Sequence, residues 1–239
     1  MTNATKQFLK ELKKQKSKNK FLLFLDTPIL VSEAINSNFA PEYFLLEKGK
    51  NFDFLKGYED KIVFCENNDL QSFSDAKTNA GIIGVFNAKK LKFKEITTNY
   101  LVLDTLQDAG NIGTILRSAL ACDFMSVILV DCVHISNPKL IRSSAGSVFK
   151  LNILECTKNE FFDLKLDNLC YADMNGKSIK DFNPNGNFGL VLGNEGNGVS
   201  EQMRNASKYS ISLPMKNNLE SLNVAVCGGI IMYYITHLK

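Results

Sequence analysis

The chain has 239 residues, 45% of them hydrophobic and 22% charged, with a formal net charge of +3. This is an ordinary globular composition, with room for one large domain or two small ones. No apolar run approaches the roughly 20 residues that span a bilayer, and the first residues hold no apolar core of the signal-peptide kind, so the expected setting is cytoplasmic with no membrane partner.

The first element, "MTNATKQFLKELKKQKSKNK", gathers Lys6, Lys10, Lys13, Lys14, Lys16, Lys18 and Lys20 around a single acid, Glu11. A solvated, partly frayed helix accounts for it. So does an arm that touches a polyanion, with Lys13 and Lys14 as its contacts. From about Asn19 to Ala88 the pattern predicts strand, helix, strand, strand, helix, strand. "FLLFL" is a strand, and "TPILVSEAINSN" is a helix behind Thr27 with Pro28 in its first position. "YFLLE" and "IVFCE" are strands, "NNDLQSFSDA" is a short helix, and "GIIGVF" closes the unit. The charged segment "NAKKLKFKEITTN" joins it to the rest, dividing the chain into residues 1–95 and 96–239.

Beyond that segment, "YLVLD", "SVILVD", "NLCYAD", "FGLVLG" and "YSISLP" alternate with helical stretches. Continuous apolar strands of this kind suit a parallel sheet covered on both faces. The last element, "SLNVAVCGGIIMYYITHLK", is a helix whose Gly228-Gly229 pair costs about 1 kcal/mol per residue against alanine, which suggests close approach of a second helix or a subunit.

Three clusters lie at strand ends. "DTLQDAGNIGTILRSALACDF" places Gly110, Asn111 and Gly113 after a strand, with Asn111 able to cap the helix and Arg117 off its buried face. An ordinary capped helix with a surface arginine explains the same residues; the ligand crevice of an α/β sheet is the sharper reading. "LVLGNEGNGVS" sets Glu195 among Gly193, Gly196 and Gly198. It is neither a P-loop nor a dinucleotide fingerprint, and a tight strand-to-helix connection is the plainer account. "ISLPMKNNLESLNVAV" puts Ser221 and Asn223 at the start of the final helix, with Glu220-Ser221 as a possible cap.

The six cysteines are scattered without a Cys-x-x-Cys, and only His134 and His237 accompany them. Free thiols are expected, and no metal site.

In this order, at the ends of successive strands, the three clusters resemble the motifs of the SpoU (TrmH-type) branch of the SPOUT RNA methyltransferases. The family's motifs look like "LDTLQDAGNIGTILRSA", "LVLGNEGNGVS" and "LPMKNNLESLNVAV", and its connecting element like "NPKLIRSSAGSVFKL". The resemblance covers about Tyr100 to Tyr234. It extends more loosely to the front module, which looks like an L7Ae/L30e-type RNA-binding domain. It departs where Ala109 replaces the usual proline, and where the front module lacks a Glu-Gly pair near Leu25-Asp26.

The resemblance implies an α/β fold: a trefoil-knotted parallel-sheet domain behind a small α/β domain, working as a homodimer. It implies methyl transfer from S-adenosylmethionine to a ribose 2′-hydroxyl of rRNA or tRNA. By the same resemblance Asn111, Arg117, Glu195, Ser221 and Asn223 surround the reacting ribose. The cofactor then lies against Leu192, Gly193, Gly198, Ile211, Leu213, Pro214, Ser221 and Leu222, and RNA meets Arg117, Arg142, Lys13 and Lys14. An arginine stays protonated at neutral pH, so Arg117 suits a phosphate or a developing alkoxide, and Glu195 is either the rival base or the group that orients Arg117 and Asn111. The alternative is an RNA-binding protein with an inactive knotted domain.

Overall fold

The computed structural model describes residues 2–19, 21–74, 79–87, 93–217 and 221–238. Lys20, residues 75–76 of the expected short helix, most of the lysine-rich start of the joining segment, and Glu220 lie outside the described residues. The chain divides into two compact units, residues 1–91 and 92–239.

In the first unit α1 (Asn3–Lys18) is followed by β1 (Leu22–Leu25), α2 (Pro28–Asn36), β2 (Pro41–Glu47), β3 (Ile62–Cys65), α3 (Asn67–Gln71) and β4 (Ile82–Asn87). The strands form one sheet in the order β1-β4-β2-β3. β2 and β3 run parallel, while β4 is antiparallel to both β1 and β2. The α2 start is built as its sequence requires: the Thr27 side chain accepts a hydrogen bond from the Leu30 N–H at 3.2 Å, with Pro28 behind it.

α1 is not a frayed arm. Leu9 and Leu12 are buried with Leu45, Cys65, Leu70 and Val85 in the core of this unit. Phe8 meets Tyr43 edge-on at 5.1 Å. Lys16 donates to the Phe73 carbonyl at 2.7 Å and covers the Phe24 ring. Lys6, Lys10, Lys13, Lys14 and Lys18 remain exposed on its outer side.

The second unit contains β5 (Tyr100–Asp104), α4 (Ala109–Ala121), β6 (Ser126–Val130), α5 (Pro138–Ser144) and β7 (Asn152–Cys156). It continues through α6 (Lys158–Asp163), β8 (Leu169–Ser178), β9 (Gly189–Gly193), α7 (Glu201–Ala206), β10 (Tyr209–Ser212) and α8 (Val224–His237). All six strands are parallel, ordered β10-β8-β9-β5-β6-β7. Every residue of β5 and β6 is buried, as the unbroken apolar runs predict. On one face Phe161 of α6 and Met203 of α7 pack with Val102, Val130 and Val191. On the other, Gly228 of α8 lets that helix close on Leu192 of β9, where a Cβ would stand 2.5 Å from a leucine methyl.

β7 carries no clean alternation, and the sequence pattern does not predict it. It is a half-exposed edge, held by Asn152, whose side chain pairs both ways with the Lys94 backbone at 2.7 and 3.0 Å. β8 runs on through Met174-Asn175-Gly176, beyond its apolar stretch, because Gly176 lets the Ile211 backbone of β10 come within 2.6 Å of where a Cβ would sit. α8 begins three residues later than its apolar pattern suggests.

β5 is the switch strand. The chain goes to β6 and β7 on one side of it, and β9, β8 and β10 occupy the other. Ligands of open α/β sheets gather beyond the carboxyl ends of the strands at such a point.

Candidate active site

The site grows from the carboxyl ends of β5 and β9 and from the start of α8. Asp108, not Asn111, caps α4: its carboxylate accepts from the Asn111 N–H at 2.8 Å. Lys139 donates to the other carboxylate oxygen at 2.7 Å. That ammonium, with the Asn111 N–H, holds the Asp108 carboxyl below its ordinary pKa. With the backbone capped elsewhere, the Asn111 side chain is released, and its Nδ2 donates to Glu195 Oε1 at 2.6 Å.

At the other end, Asn223 caps α8, accepting from the N–H groups of Ala225 at 2.9 Å and Val226 at 3.3 Å. Its Nδ2 donates to Asn111 Oδ1 at 3.1 Å. One continuous chain results, running from the first backbone donors of α8 through Asn223 and Asn111 to the Glu195 carboxylate. Each amide accepts on one side and donates on the other, so donor character is passed toward Glu195. Glu195 Oε2 accepts no hydrogen bond among the described residues.

Glu195 is presented by a preset loop. Asn194 Oδ1 accepts from the Gly196 N–H at 2.9 Å, and the Gly198 N–H returns to the Asn194 carbonyl at 2.8 Å. Gly198 has φ +66°, and a Cβ on Gly193 would collide with the Gly198 and Val199 backbone. The loop therefore folds back tightly on the end of β9, which only glycine permits at these two places.

Below this loop lies a cavity of about 700 Å³. Leu192, Ile211, Leu213, Leu222 and Ile231 supply apolar walls, and Glu195, Ser221 and Asn223 stand at its polar rim. Gly193 and Gly198 line it as well. Cys227 joins the apolar lining, and burial pushes its thiol pKa up, so it is uncharged. The volume, the apolar walls and the rim carboxylate of Glu195 suit an adenine nucleoside with a cationic centre near that carboxylate.

The predicted residues are not all brought together. Asn111, Glu195 and Asn223 form one hydrogen-bonded chain, and Ser221 shares their cavity. Pro214 is exposed and lies off the cavity wall. Arg117 is exposed and makes no hydrogen bond or ion pair among the described residues. It lies six residues after Asn111 on α4, about 9 Å farther along the axis and roughly 120° round it. Within one chain Arg117 does not face the Asn111–Glu195 pair.

Gly113 serves helix packing: a Cβ there would strike Ser143 Oγ and stand 2.6 Å from the Leu140 carbonyl oxygen of α5. Arg142 is exposed on α5, and Lys13 and Lys14 on α1 belong to the first unit. Sequence reasoning passes over Asn194, the loop's organiser, and the pair Asp173 and Arg204, which lines the cavity with Oδ2 and Nη2 3.5 Å apart. The Asn-Glu-Gly-Asn-Gly spacing is an Asx-turn signal that points to Asn194. Nothing in the local sequence joins Asp173 to Arg204.

Residues 98–233 match the model of the SpoU rRNA Methylase family. Over 140 residues the chain is 32% identical to a 23S rRNA (guanosine(2553)-2′-O)-methyltransferase of Bacillus subtilis, covering 56% of each chain. Over 146 residues it is 35% identical to a 23S rRNA (adenosine(1067)-2′-O)-methyltransferase of Streptomyces azureus, covering 56% of this chain and 52% of that one. The alignments thus span about half the length of these relatives. Among solved structures it superposes on the SpoU methyltransferase AviRb of Streptomyces viridochromogenes in complex with AdoMet, with a TM-score of 0.80 at 21% identity over 99% of this chain and 98% of that one. An AdoMet-bound rRNA methyltransferase of Sinorhizobium meliloti gives a TM-score of 0.83 at 18% identity over 98% and 95%. At these identities the superpositions speak to the fold.

Proposed function

The chain belongs to the SpoU rRNA methylase family, and from that premise we propose that it transfers a methyl group from S-adenosylmethionine to a ribose 2′-hydroxyl of a structured RNA. The observation that carries this reading is the Asn223–Asn111–Glu195 chain on the rim of the apolar cavity. Bound in that cavity, S-adenosylmethionine supplies an electrophilic methyl group on a sulfonium.

The residues of this chain do the rest. Leu192, Ile211, Leu213 and Leu222, which line the cavity, would enclose the adenine, and backbone groups at Gly193, Leu213 and Leu222 would hold it in register. Glu195 Oε2 would take up the proton of the 2′-hydroxyl, while the methyl carbon bonds to that oxygen as its bond to the sulfonium sulfur breaks and the sulfur leaves as a neutral thioether. Oε1 stays fixed by Asn111, so the free oxygen keeps one direction. Holding nucleophile and methyl group in line supplies much of the barrier reduction. Arg117 is a permanent cation and is assigned to RNA phosphate and to charge developing on the ribose oxygen.

Arg117 reaches such a site when two copies pair. Val226, Ile230 and Tyr233, at helical spacing, form an exposed apolar stripe on α8 at 50%, 45% and 54% exposure. α4 packs against α8 beside it, with Gly229 against Ser118, the neighbour of Arg117. A homodimer through this stripe carries Arg117 toward the partner's cavity. The first unit, with the exposed lysines of α1 including Lys13 and Lys14, is assigned to RNA substrate binding, and Arg142 to a further phosphate contact.

The test is methyl transfer from labelled S-adenosylmethionine to unmodified rRNA and tRNA, with alkali resistance locating a 2′-O-methyl group. Label in one alkali-resistant dinucleotide is expected. No transfer together with no binding of S-adenosylmethionine overturns the reading in favour of an RNA-binding protein.

A further inference from the structure

Asp104, the last residue of β5, is fully buried, yet it neither lines the cavity nor joins the Asn223–Asn111–Glu195 chain. A buried carboxylate is costly unless hydrogen-bonded and paired. Asp104 has one of each: Oδ2 accepts from the Ser200 N–H at 2.7 Å, while Oδ1 accepts no hydrogen bond among the described residues and is met by the Lys158 ammonium of α6 at 3.4 Å. The same ammonium donates to Ser200 Oγ at 3.1 Å. Ser200 lies just past the glycine-rich loop.

The next residue completes the pattern. Thr105 has φ +61°, a conformation that β-branched residues rarely adopt and that marks stored strain. The turn is fixed by its N–H on the Val130 carbonyl at 2.9 Å. Its own carbonyl oxygen accepts from Asn194 Nδ2 at 3.1 Å. Asn194 is the residue that opens the loop and organises its interior.

Both ends of the loop carrying Glu195 are therefore tied to two consecutive residues at the end of the switch strand, Asp104 as its last residue and Thr105 just past it. We propose that Asp104 and Thr105 are a two-point clamp that presets the glycine-rich loop for S-adenosylmethionine, with Lys158 as the counter-ion that makes a buried carboxylate tolerable there. This rests on the cofactor reading above. Asp104, Thr105 and Lys158 are positioning residues: none of them lines the cavity, and each acts through the loop. With its ends held, the loop loses little freedom on closing round the cofactor, which is how preorganisation raises affinity. Asn194 and Ser200 released from their partners leave Gly196 and Gly198 free to sample many shapes.

Ser200→Pro tests the clamp at the backbone. Ser200 has φ −62° and ψ 151°, a geometry proline shares, so the change deletes the N–H donor to Asp104, together with the Oγ acceptor of Lys158, without bending the chain. The companion pair is Asp104→Leu, which removes the acceptor, and Asp104→Asn, whose amide oxygen still accepts from Ser200. The readouts are the Kd for S-adenosylmethionine by calorimetry and amide hydrogen exchange at Gly196, Asn197 and Gly198 without ligand. Ser200→Pro and Asp104→Leu are expected to raise the Kd at least tenfold and to speed exchange in the loop while Ile128 and Leu129 of β6 stay protected. Asp104→Asn is expected to restore both to within about threefold of the native protein. If Asp104→Leu does not fold, Ser200→Pro decides alone. Native loop exchange and a Kd within twofold in Ser200→Pro overturn the clamp. A native protein that binds no S-adenosylmethionine overturns the cofactor reading instead, and the exchange data still judge the clamp.

Discussion

Asn223 does two jobs with one side chain, and a single pair of variants separates them. Its Oδ1 caps α8 and its Nδ2 holds Asn111. Asn223→Ala removes both. Loss of the cap costs about 1 kcal/mol and loss of the Asn111 bond about another. A fall of about 2 kcal/mol lowers the unfolding midpoint by roughly 4–8 °C for a unit of this size. Asn223→Asp keeps an N-cap acceptor and adds a charge that the helix N-terminus favours by about 0.3–1 kcal/mol. Its stability should therefore stay within about 1 kcal/mol of native. The introduced carboxylate has no donor for Asn111 Oδ1, however, so the Asn111 amide turns its NH₂ toward that carboxylate and its oxygen toward Glu195. Glu195 loses its 2.6 Å donor. A tenfold to hundredfold drop in single-turnover methyl transfer is expected, equal to about 1.4–2.7 kcal/mol of transition-state stabilisation. Thermal unfolding and single-turnover transfer, measured on both variants, check the argument. Native turnover in Asn223→Asp refutes the relay, and equal destabilisation by both variants refutes the cap.

Gly113→Ala should cost about 1–3 kcal/mol by driving α5 off α4, read as a lower unfolding midpoint, with Ser143→Gly recovering part of it. Arg117→Ala should abolish turnover while leaving the Kd for S-adenosylmethionine within twofold, since Arg117 lies off the cavity; mixed dimers of Arg117→Ala and Glu195→Gln chains should regain activity if Arg117 acts across the pairing. Ile230→Asp should shift the protein to monomer in light scattering. Replacing Lys10, Lys13 and Lys14 by Gln should flatten the slope of log affinity against log salt by about 0.7–0.9 for each phosphate no longer neutralised, a cleaner test than truncation because Leu9 and Leu12 of the same helix are core residues. The lowered pKa of Asp108 means that its contribution is present above the ordinary carboxylate value near 3.9 and fades as pH falls through the lower folded value. Asp108→Asn should therefore flatten the acid limb of stability below about pH 4 in circular dichroism melts, and leave the neutral limb parallel to native.

Much of the fold is written in period and punctuation. Buried parallel strands show as unbroken apolar runs, and α2 is announced by Thr27 and Pro28. β7 is not legible, because an edge strand needs no continuous apolar face and Asn152 is explained by Lys94 and Ser126, 58 and 26 residues away. α1 reads as a loose cationic arm because its lysines outweigh Leu9 and Leu12 to the eye, whereas two buried leucines suffice to seat a helix.

At the site the difference between local and non-local signals is sharper. The three strand-end clusters name Asn111, Glu195 and Asn223 correctly as neighbours, but their link runs over separations of 84 and 112 residues, which no local pattern records. The clusters also join Arg117 to them, since residues on one motif look as if they share one place. A helix forbids it: six residues past Asn111, Arg117 has turned to another face. The glycines divide in the same way. Gly113 answers to Ser143 and Leu140, and Gly193 answers to the returning loop, so one residue type in two similar motifs meets two unrelated demands. What separates them is what lies opposite: α5 packed on α4 at Gly113, and the loop's own return at Gly193. The position of Arg117 thus bears on the proposal itself: a permanent cation carried on the outside of α4, beside an exposed apolar stripe, is what the proposed pairing of two copies would put to use.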